Sequence, residues 1–208
     1  MSTARSVRSI IAGQIKIHLL TGELAVTRRL VFWPPATETE FRREEKTVTL
    51  ITSRDKTLAV TLQTRTAASP EHAFEVNVPI DLSLVFKGWG PFPAVQGVKN
   101  QTGAWDHVGA SRNPVLSDGT TANETLTEYT VDHSFAYEVT GFTNILGKLV
   151  EGVRGEWTFT PDGEGTVIRW TYEFKPRRGC YLLVRLGLAP LWRHYMQAGI
   201  EAAAKACE

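Results

Sequence analysis

Hydrophobic and polar positions alternate most clearly between Gly155 and Phe174, in the stretch GEWTFTPDGEGTVIRWTYEF. Before the turn, Trp157 and Phe159 share one face of the chain. After the turn, the same face carries Ile168, Trp170, Tyr172 and Phe174. This period of two on both sides of a Gly-rich turn predicts an antiparallel hairpin with one aromatic face. Such a face covers either a packed core or a space for a ligand.

Other segments continue the pattern on both sides of this hairpin. Strands are predicted within FEVNVPI, WDHVGASRNPVLSDG, TANETLTEYT, HSFAYEVTG and NILGKLVEGVRGEWTFT. A helix is predicted from DLSLVFKGW, with Asp81 as its N-cap and an apolar face of Leu84, Val85 and Trp89. A long C-terminal helix is predicted next, and Pro190 should break or kink it near its start. Its apolar stripe contains Leu188, Leu191, Trp192, Tyr195, Met196, Gly199 and Ile200.

The order of these elements indicates an α+β fold. We expect a curved antiparallel sheet wrapped around the long C-terminal helix. A strongly curved sheet cannot close completely onto a single helix, so a cavity should remain between them. The aromatic face of residues 155–174 would then contact both the helix and this cavity.

The 208 residues allow one domain with an additional segment. Residues 1–70 are predicted to be an N-terminal extension, in which TVTLITSRDKTLAVTLQT reads as a hairpin added to the domain. The extension could add strands to the sheet edge, mediate self-association, or come from a misassigned start. Residues 71–208 are predicted to form the ligand-binding domain.

The net charge of +1 gives no overall electrostatic reason to expect nucleic acid or an acidic membrane as a partner. No apolar run is long enough for stable membrane insertion. Gln14, Lys16 and His18 interrupt the first apolar patch too early for a secretory signal, which favours a cytoplasmic location. The five histidines lack the spacing of a zinc site, and no cofactor motif is present, so neither a metal nor a cofactor is expected.

Residues 73–207 resemble the START/Bet v 1-like (SRPBCC) superfamily, in particular its polyketide cyclase/dehydrase branch. The resemblance is carried by VNVPIDLSLVFKGW, GAWDHVGASRNPVLSDGTTANETLTEY, FAYEVTG, the aromatic hairpin and the closing helix. It implies a helix-grip fold that holds a hydrophobic ligand. Members include cyclases, lipid carriers and hormone receptors, so the fold does not choose one activity.

Arg112 and Glu124 are the strongest polar candidates, because they fall on neighbouring predicted strands with inward parity. Burying either charge alone would be costly, so a buried ion pair is expected. The pair could anchor a ligand carbonyl or hydroxyl, or it could be a structural cross-strand pair. The remaining ligand-binding candidates are aromatic: Trp89, Tyr137, Trp157, Trp170, Tyr172 and Trp192.

Glu124 is also the best catalytic candidate, with His107 or Tyr137 as a second proton donor or acceptor. A surface position is favoured for His107 and His133, because each lies beside an aspartate at a predicted turn or strand end.

The leading hypothesis is a protein that binds a small hydrophobic molecule, lipid or polyketide-like, between the sheet and the helix. An aromatase/cyclase or dehydratase acting on a polyketide-like substrate is the first alternative, and it requires an acid or base that the cavity can reach. A structural or partner-binding protein with a filled cavity is the second. A homodimer is compatible with all three.

Overall fold

The computed structural model describes residues 49–208, and its core is a seven-stranded sheet in which every neighbouring pair is antiparallel. The strands lie in the order β1-β7-β6-β5-β4-β3-β2. Their bounds are β1 Leu58–Thr66, β2 Val95–Lys99, β3 Ser111–Leu116, β4 Asn123–Thr130, β5 Ser134–Thr140, β6 Val150–Asp162 and β7 Gly165–Pro176. The sheet curls into a half-barrel around a long C-terminal helix, which confirms the predicted helix-grip fold.

The aromatic hairpin is formed by β6 and β7, as the alternation predicts. Trp157 lies directly opposite Trp170, and Phe159 lies opposite Ile168. The side chains of this face are buried, whereas the polar positions between them are partly or fully exposed. Period-two alternation therefore fixes which face of the hairpin is turned inward.

The second strand of the predicted N-terminal hairpin is present as β1, but the hairpin itself is not formed within the described residues. Residues 49–57 contain no strand, and β1 pairs along its whole length with β7, from Leu58 opposite Phe174 to Thr66 opposite Thr166. The first strand thus completes the edge of the main sheet and lies on the N-terminal side of the boundary predicted at residue 70. The remainder of the predicted extension, residues 1–48, lies outside the described residues.

The strand predicted at FEVNVPI is also wrong, because α1 (Pro70–Asn77) occupies most of it. Ser69 caps this helix by accepting a hydrogen bond from the backbone N–H of His72, and Pro70 is pre-set for the first helical turn. Phe74 and Asn77 are then buried on the same helical face.

Asp81 caps α2 (Leu82–Val85) by accepting a hydrogen bond from the N–H of Ser83, as predicted. The helix is only one turn long, because the backbone of Gly88 and Gly90 has positive φ and leads the chain away. Its expected face is not formed: Val85 is buried, whereas Leu84 is 62% exposed. Another one-turn helix, α3 (Leu146–Leu149), precedes β6.

The C-terminal helix consists of α4 (Tyr181–Leu183), a π-helical turn (Val184–Leu188) and α5 (Ala189–Lys205). The π turn closes with a hydrogen bond from the N–H of Ala189 to the carbonyl of Val184. Pro190 has no N–H to donate to the carbonyl one turn earlier, and its ring would clash with that carbonyl. The wider π turn just before Pro190 accommodates the proline, so the helix continues without a break. The predicted stripe is buried except for Leu191. In residues 49–208, no helix is long and apolar enough to cross a bilayer.

Candidate functional site: a cavity with a buried ion pair

A cavity of about 490 Å³ separates the concave face of the sheet from the C-terminal helix. This volume lies within the range of pockets that hold small molecules. Most of its lining is apolar and comes from α2, the strands, α3 and the helix. Representative lining residues are Val85, Phe86, Phe92, Val95, Phe135, Val139, Leu146 and Leu188. The few polar groups in this lining therefore decide which ligand chemistry the cavity can accept.

Arg112 and Glu124 form the predicted ion pair in the wall of this cavity. They are direct partners on β3 and β4, and the Nε atom of Arg112 lies 2.6 Å from Oε2 of Glu124. Arg112 is 7% exposed and Glu124 is 5% exposed. Within residues 49–208 their side chains make no further hydrogen bond.

Trp105 packs against the guanidinium group of Arg112. This residue was not identified from the sequence. The guanidinium carbon of Arg112 lies 3.9 Å from the centroid of the Trp105 ring, a cation–π contact. Trp105 is 4% exposed although it lies in a polar loop. A large aromatic residue within such a loop was the only signal that could have marked it.

Tyr137 and Tyr172 place two phenol groups in the same wall. Burial raises the pKa of both hydroxyls well above the ordinary tyrosine value, and the nearby Glu124 carboxylate raises each further. Both groups therefore stay neutral over the physiological range. The ring of Tyr137 packs directly on the backbone of Gly155, where any Cβ atom would collide with it.

Stacked aromatic rings connect the hairpin to the helix. Trp157 and Trp170 stack with ring centroids 4.8 Å apart and planes 17° from parallel. Tyr172 stacks on Trp192 of α5 at 4.9 Å and 29°. All four rings line the cavity. The aromatic face seen in the sequence is thus both the core of the domain and the wall of the cavity.

Trp89 is the one predicted binding residue that the structure places outside the cavity wall. It is 37% exposed and stacks on the ring of His194, with centroids 4.9 Å apart. Phe86 and Phe92 line the cavity instead, and Phe86 stacks on Tyr195 at 5.6 Å. The chain is irregular here, so no periodic pattern distinguished these rings from Trp89.

The histidine candidates lie on the surface, as favoured from the sequence. His107 is exposed, and its Nδ1 lies 2.7 Å from Oδ1 of Asp106. His133 is exposed at the turn between β4 and β5, and its Nδ1 lies 3.0 Å from the carbonyl of Val131. Neither lines the cavity. Across the described residues, no group of three or more His, Cys, Asp or Glu side chains is placed to hold a metal ion.

The curled sheet, the gripping helix and the cavity between them define a helix-grip protein of the START/Bet v 1-like superfamily. Within it, the chain belongs to the family described as "Polyketide cyclase / dehydrase and lipid transport", whose model matches residues 57–208. This match begins just before β1, earlier than the resemblance seen from residue 73. No curated protein matches the sequence.

Solved structures share the fold at low sequence identity. Ara h 8.0201 is 14% identical, with a TM-score of 0.57 over 73% of this chain and 98% of its own. Norcoclaurine synthase from Thalictrum flavum, solved with dopamine and hydroxybenzaldehyde, is 16% identical, with a TM-score of 0.55 over 73% and 86%. Major latex-like protein 151 from Panax ginseng is 14% identical, with a TM-score of 0.55 over 72% and 96%. At these identities the likeness concerns the fold alone.

Proposed function

We propose that this protein binds one small, largely apolar molecule in the cavity between the sheet and the C-terminal helix. The observation that carries the proposal is the cavity itself, with a volume of about 490 Å³ and a mostly apolar and aromatic lining. An unfilled apolar space of this size forgoes the packing contacts that stabilise a protein interior. A lipid or polyketide-like ligand would restore those contacts.

The polar end of this ligand should be uncharged and should contain an oxygen. Arg112 and Glu124 neutralise each other, so a ligand carboxylate near Arg112 would also face the carboxylate of Glu124. A carbonyl could accept from the Nη atoms of Arg112, and a hydroxyl could donate to Glu124. Neutral hydroxyls on Tyr137 and Tyr172 add hydrogen-bonding groups in the same wall.

Titration with the neutral fluorescent dye Nile red tests the binding proposal. We expect saturable emission with one dye molecule per chain. Ala122 lines the cavity and is buried, so Ala122→Phe should fill space that the dye needs and abolish the signal. Val131→Phe, at the exposed turn between β4 and β5, should leave it unchanged. Equal emission from wild type and Ala122→Phe would overturn the proposal, provided that circular dichroism shows both proteins folded.

A second candidate function is catalysis on a polyketide-like substrate, such as cyclisation or dehydration. It is favoured by the buried carboxylate of Glu124, which lies in the cavity wall together with the neutral hydroxyl of Tyr137. Enolisation and loss of water require an acid or a base in such a position. Glu124→Gln should then abolish turnover of a polyketide-like substrate while Nile red binding persists. Retained turnover would exclude this role.

The cytoplasmic location and the homodimer remain predictions from the sequence.

A further inference from the structure

The start of the C-terminal helix carries a group of large apolar side chains that project into solvent. Leu182 is 62% exposed, Leu183 is 61% exposed and Leu186 is 72% exposed. Single exposed leucines are common on protein surfaces and require no explanation. Three of them within two turns of one helix form a patch, which is typical of an interaction surface.

This patch is continuous with the opening of the cavity. Leu183 belongs to the patch and also lines the cavity. Leu191, one turn beyond the π turn, also lines the cavity and is 41% exposed. Ile145, just before α3, lines the cavity too and is 66% exposed. A molecule that entered or left the cavity here would pass between exposed apolar side chains.

Basic residues precede and accompany the leucine patch along the chain. Residues 174–200 contain no Asp or Glu but include Lys175, Arg177, Arg178, Arg185 and Arg193. The arginines at 177, 178 and 185 are exposed, and so is Lys148 beside Ile145. Lys175 is paired with Asp55 and Glu151. Asp118, also exposed, is the acidic surface residue in the cavity lining. Residues 174–200 therefore carry a local excess of positive charge that the overall charge of +1 does not reveal.

Exposed leucines flanked by arginines match the chemistry of an anionic bilayer surface. The leucines can enter the boundary between head groups and acyl chains, while each guanidinium stays at the level of the phosphates. Basic residues near an anionic leaflet add electrostatic attraction. A soluble protein partner would not require this combination at the mouth of an apolar cavity.

We propose that this cavity rim, formed by Ile145, Leu182, Leu183, Leu186, Arg178 and Arg185, docks on the surface of an anionic lipid bilayer. Docking there places the cavity opening against the membrane, so an apolar ligand can move between bilayer and cavity without crossing water. The surface interaction itself does not depend on which ligand the cavity holds.

Co-sedimentation of the full chain with lipid vesicles tests the proposal. One set of vesicles contains phosphatidylcholine alone, and the other contains phosphatidylcholine mixed with phosphatidylserine. We expect binding to the mixed vesicles, and binding that weakens as salt is added. The double variant Leu182→Ser/Leu186→Ser should lower the partition coefficient by roughly tenfold or more, because two apolar contacts are lost. Arg178→Gln/Arg185→Gln should lower it by about thirtyfold.

Val131→Ser provides a matched control. Val131 is 62% exposed, like Leu182. It lies in the turn before β5, at the end of this strand opposite to the end that leads into α3. Its substitution should leave vesicle binding unchanged. Because all of these side chains are exposed, the variants should fold, which circular dichroism will verify.

Three results would overturn the proposal. One is the absence of binding to the phosphatidylserine vesicles by a protein that still binds Nile red. Another is equal vesicle binding by wild type and Leu182→Ser/Leu186→Ser. The last is a wild-type protein that binds no vesicles but self-associates, together with a Leu182→Ser/Leu186→Ser variant that does not self-associate. A second copy of the chain, and not a bilayer, would then cover the rim. Ala122→Phe separates the two proposals, because it should lose Nile red binding and keep vesicle binding.

Discussion

Arg112 reaches Glu124 across adjacent strands through its Nε atom at 2.6 Å, and both side chains are more than nine-tenths buried. Trp105 covers one side of the guanidinium, and the cavity borders the pair. A pair in such surroundings can persist only while both charges are present, because either charge alone would lack compensation.

Removal of Arg112 alone should therefore be costly. We expect Arg112→Leu to lower the free energy of unfolding by about 3–5 kcal/mol, since it leaves a buried carboxylate unpaired. The double variant Arg112→Leu/Glu124→Leu should recover most of this loss, because an apolar pair of similar volume needs no compensation. Urea denaturation measures both values. A loss near zero for the single variant would show that the pair is not buried in solution.

The close approach of Tyr137 to Gly155 gives a second prediction. A Cβ atom at Gly155 would collide with the phenol ring, so Gly155→Ala should destabilise the protein by about 1–3 kcal/mol. It should also weaken Nile red binding, because the displaced ring lines the cavity.

Gly187→Ala is the matched comparison for stability. This glycine is in the π turn of the C-terminal helix, and an added Cβ would meet no atom within 4 Å. The replacement should be neutral or stabilising by up to about 1 kcal/mol, since alanine favours helical backbone. Thermal denaturation of both variants gives the comparison, and equal effects would argue against the packing of Tyr137 on Gly155.

The buried tyrosines predict a loss of stability at high pH. Burial raises the pKa of Tyr137 and Tyr172 above the ordinary value of 10.0. Above pH 10 the folded protein keeps protons that the unfolded chain has released, so the free energy of unfolding should fall as the pH rises. Below pH 10 both states are protonated at these groups, and their contribution is constant.

Tyr137→Phe should reduce the slope of stability against pH in this alkaline range. Tyr181→Phe alters a half-exposed ring outside the cavity lining and serves as the control. Urea denaturation at a series of alkaline pH values measures the slopes. If wild type and Tyr137→Phe lose stability equally, the Tyr137 hydroxyl is not buried as described.

Tryptophan fluorescence should report the arrival of a ligand. Trp170 is 1% exposed and lines the cavity, so an apolar molecule bound there should change its emission. Trp89 lies outside the lining. Trp89→Phe should keep the ligand-induced change in emission, and Trp170→Phe should lose much of it. The same response in both variants would place the ligand elsewhere.

The parts predicted correctly from the sequence depend on local patterns. Alternation alone identifies the hairpin of β6 and β7 and the direction of its aromatic face, because the strand period is two. Inward parity on neighbouring strands likewise predicts the ion pair of Arg112 and Glu124. A helical stripe identifies Trp192 and Tyr195 as inward residues.

The parts that were wrong depend on less regular or more distant information. The pairing of β1 with β7 joins residues 100 to 116 positions apart, which no local pattern reveals. The β-branched residues of FEVNVPI suggest a strand, but the cap at Ser69 and tertiary burial of Phe74 favour a helix. Trp89, the expected binding residue, lies outside the cavity lining, because the backbone of Gly88 and Gly90 sets the path of the loop.

Native mass spectrometry of the full chain, purified without detergent, tests the central proposal most directly. After incubation with a total lipid extract, we expect the wild-type protein to carry one small apolar molecule, which denaturation releases for identification. Ala122→Phe should carry none. If wild type stays empty, or if both proteins carry the same bound mass, then the space between the sheet and the helix is not a ligand-binding cavity.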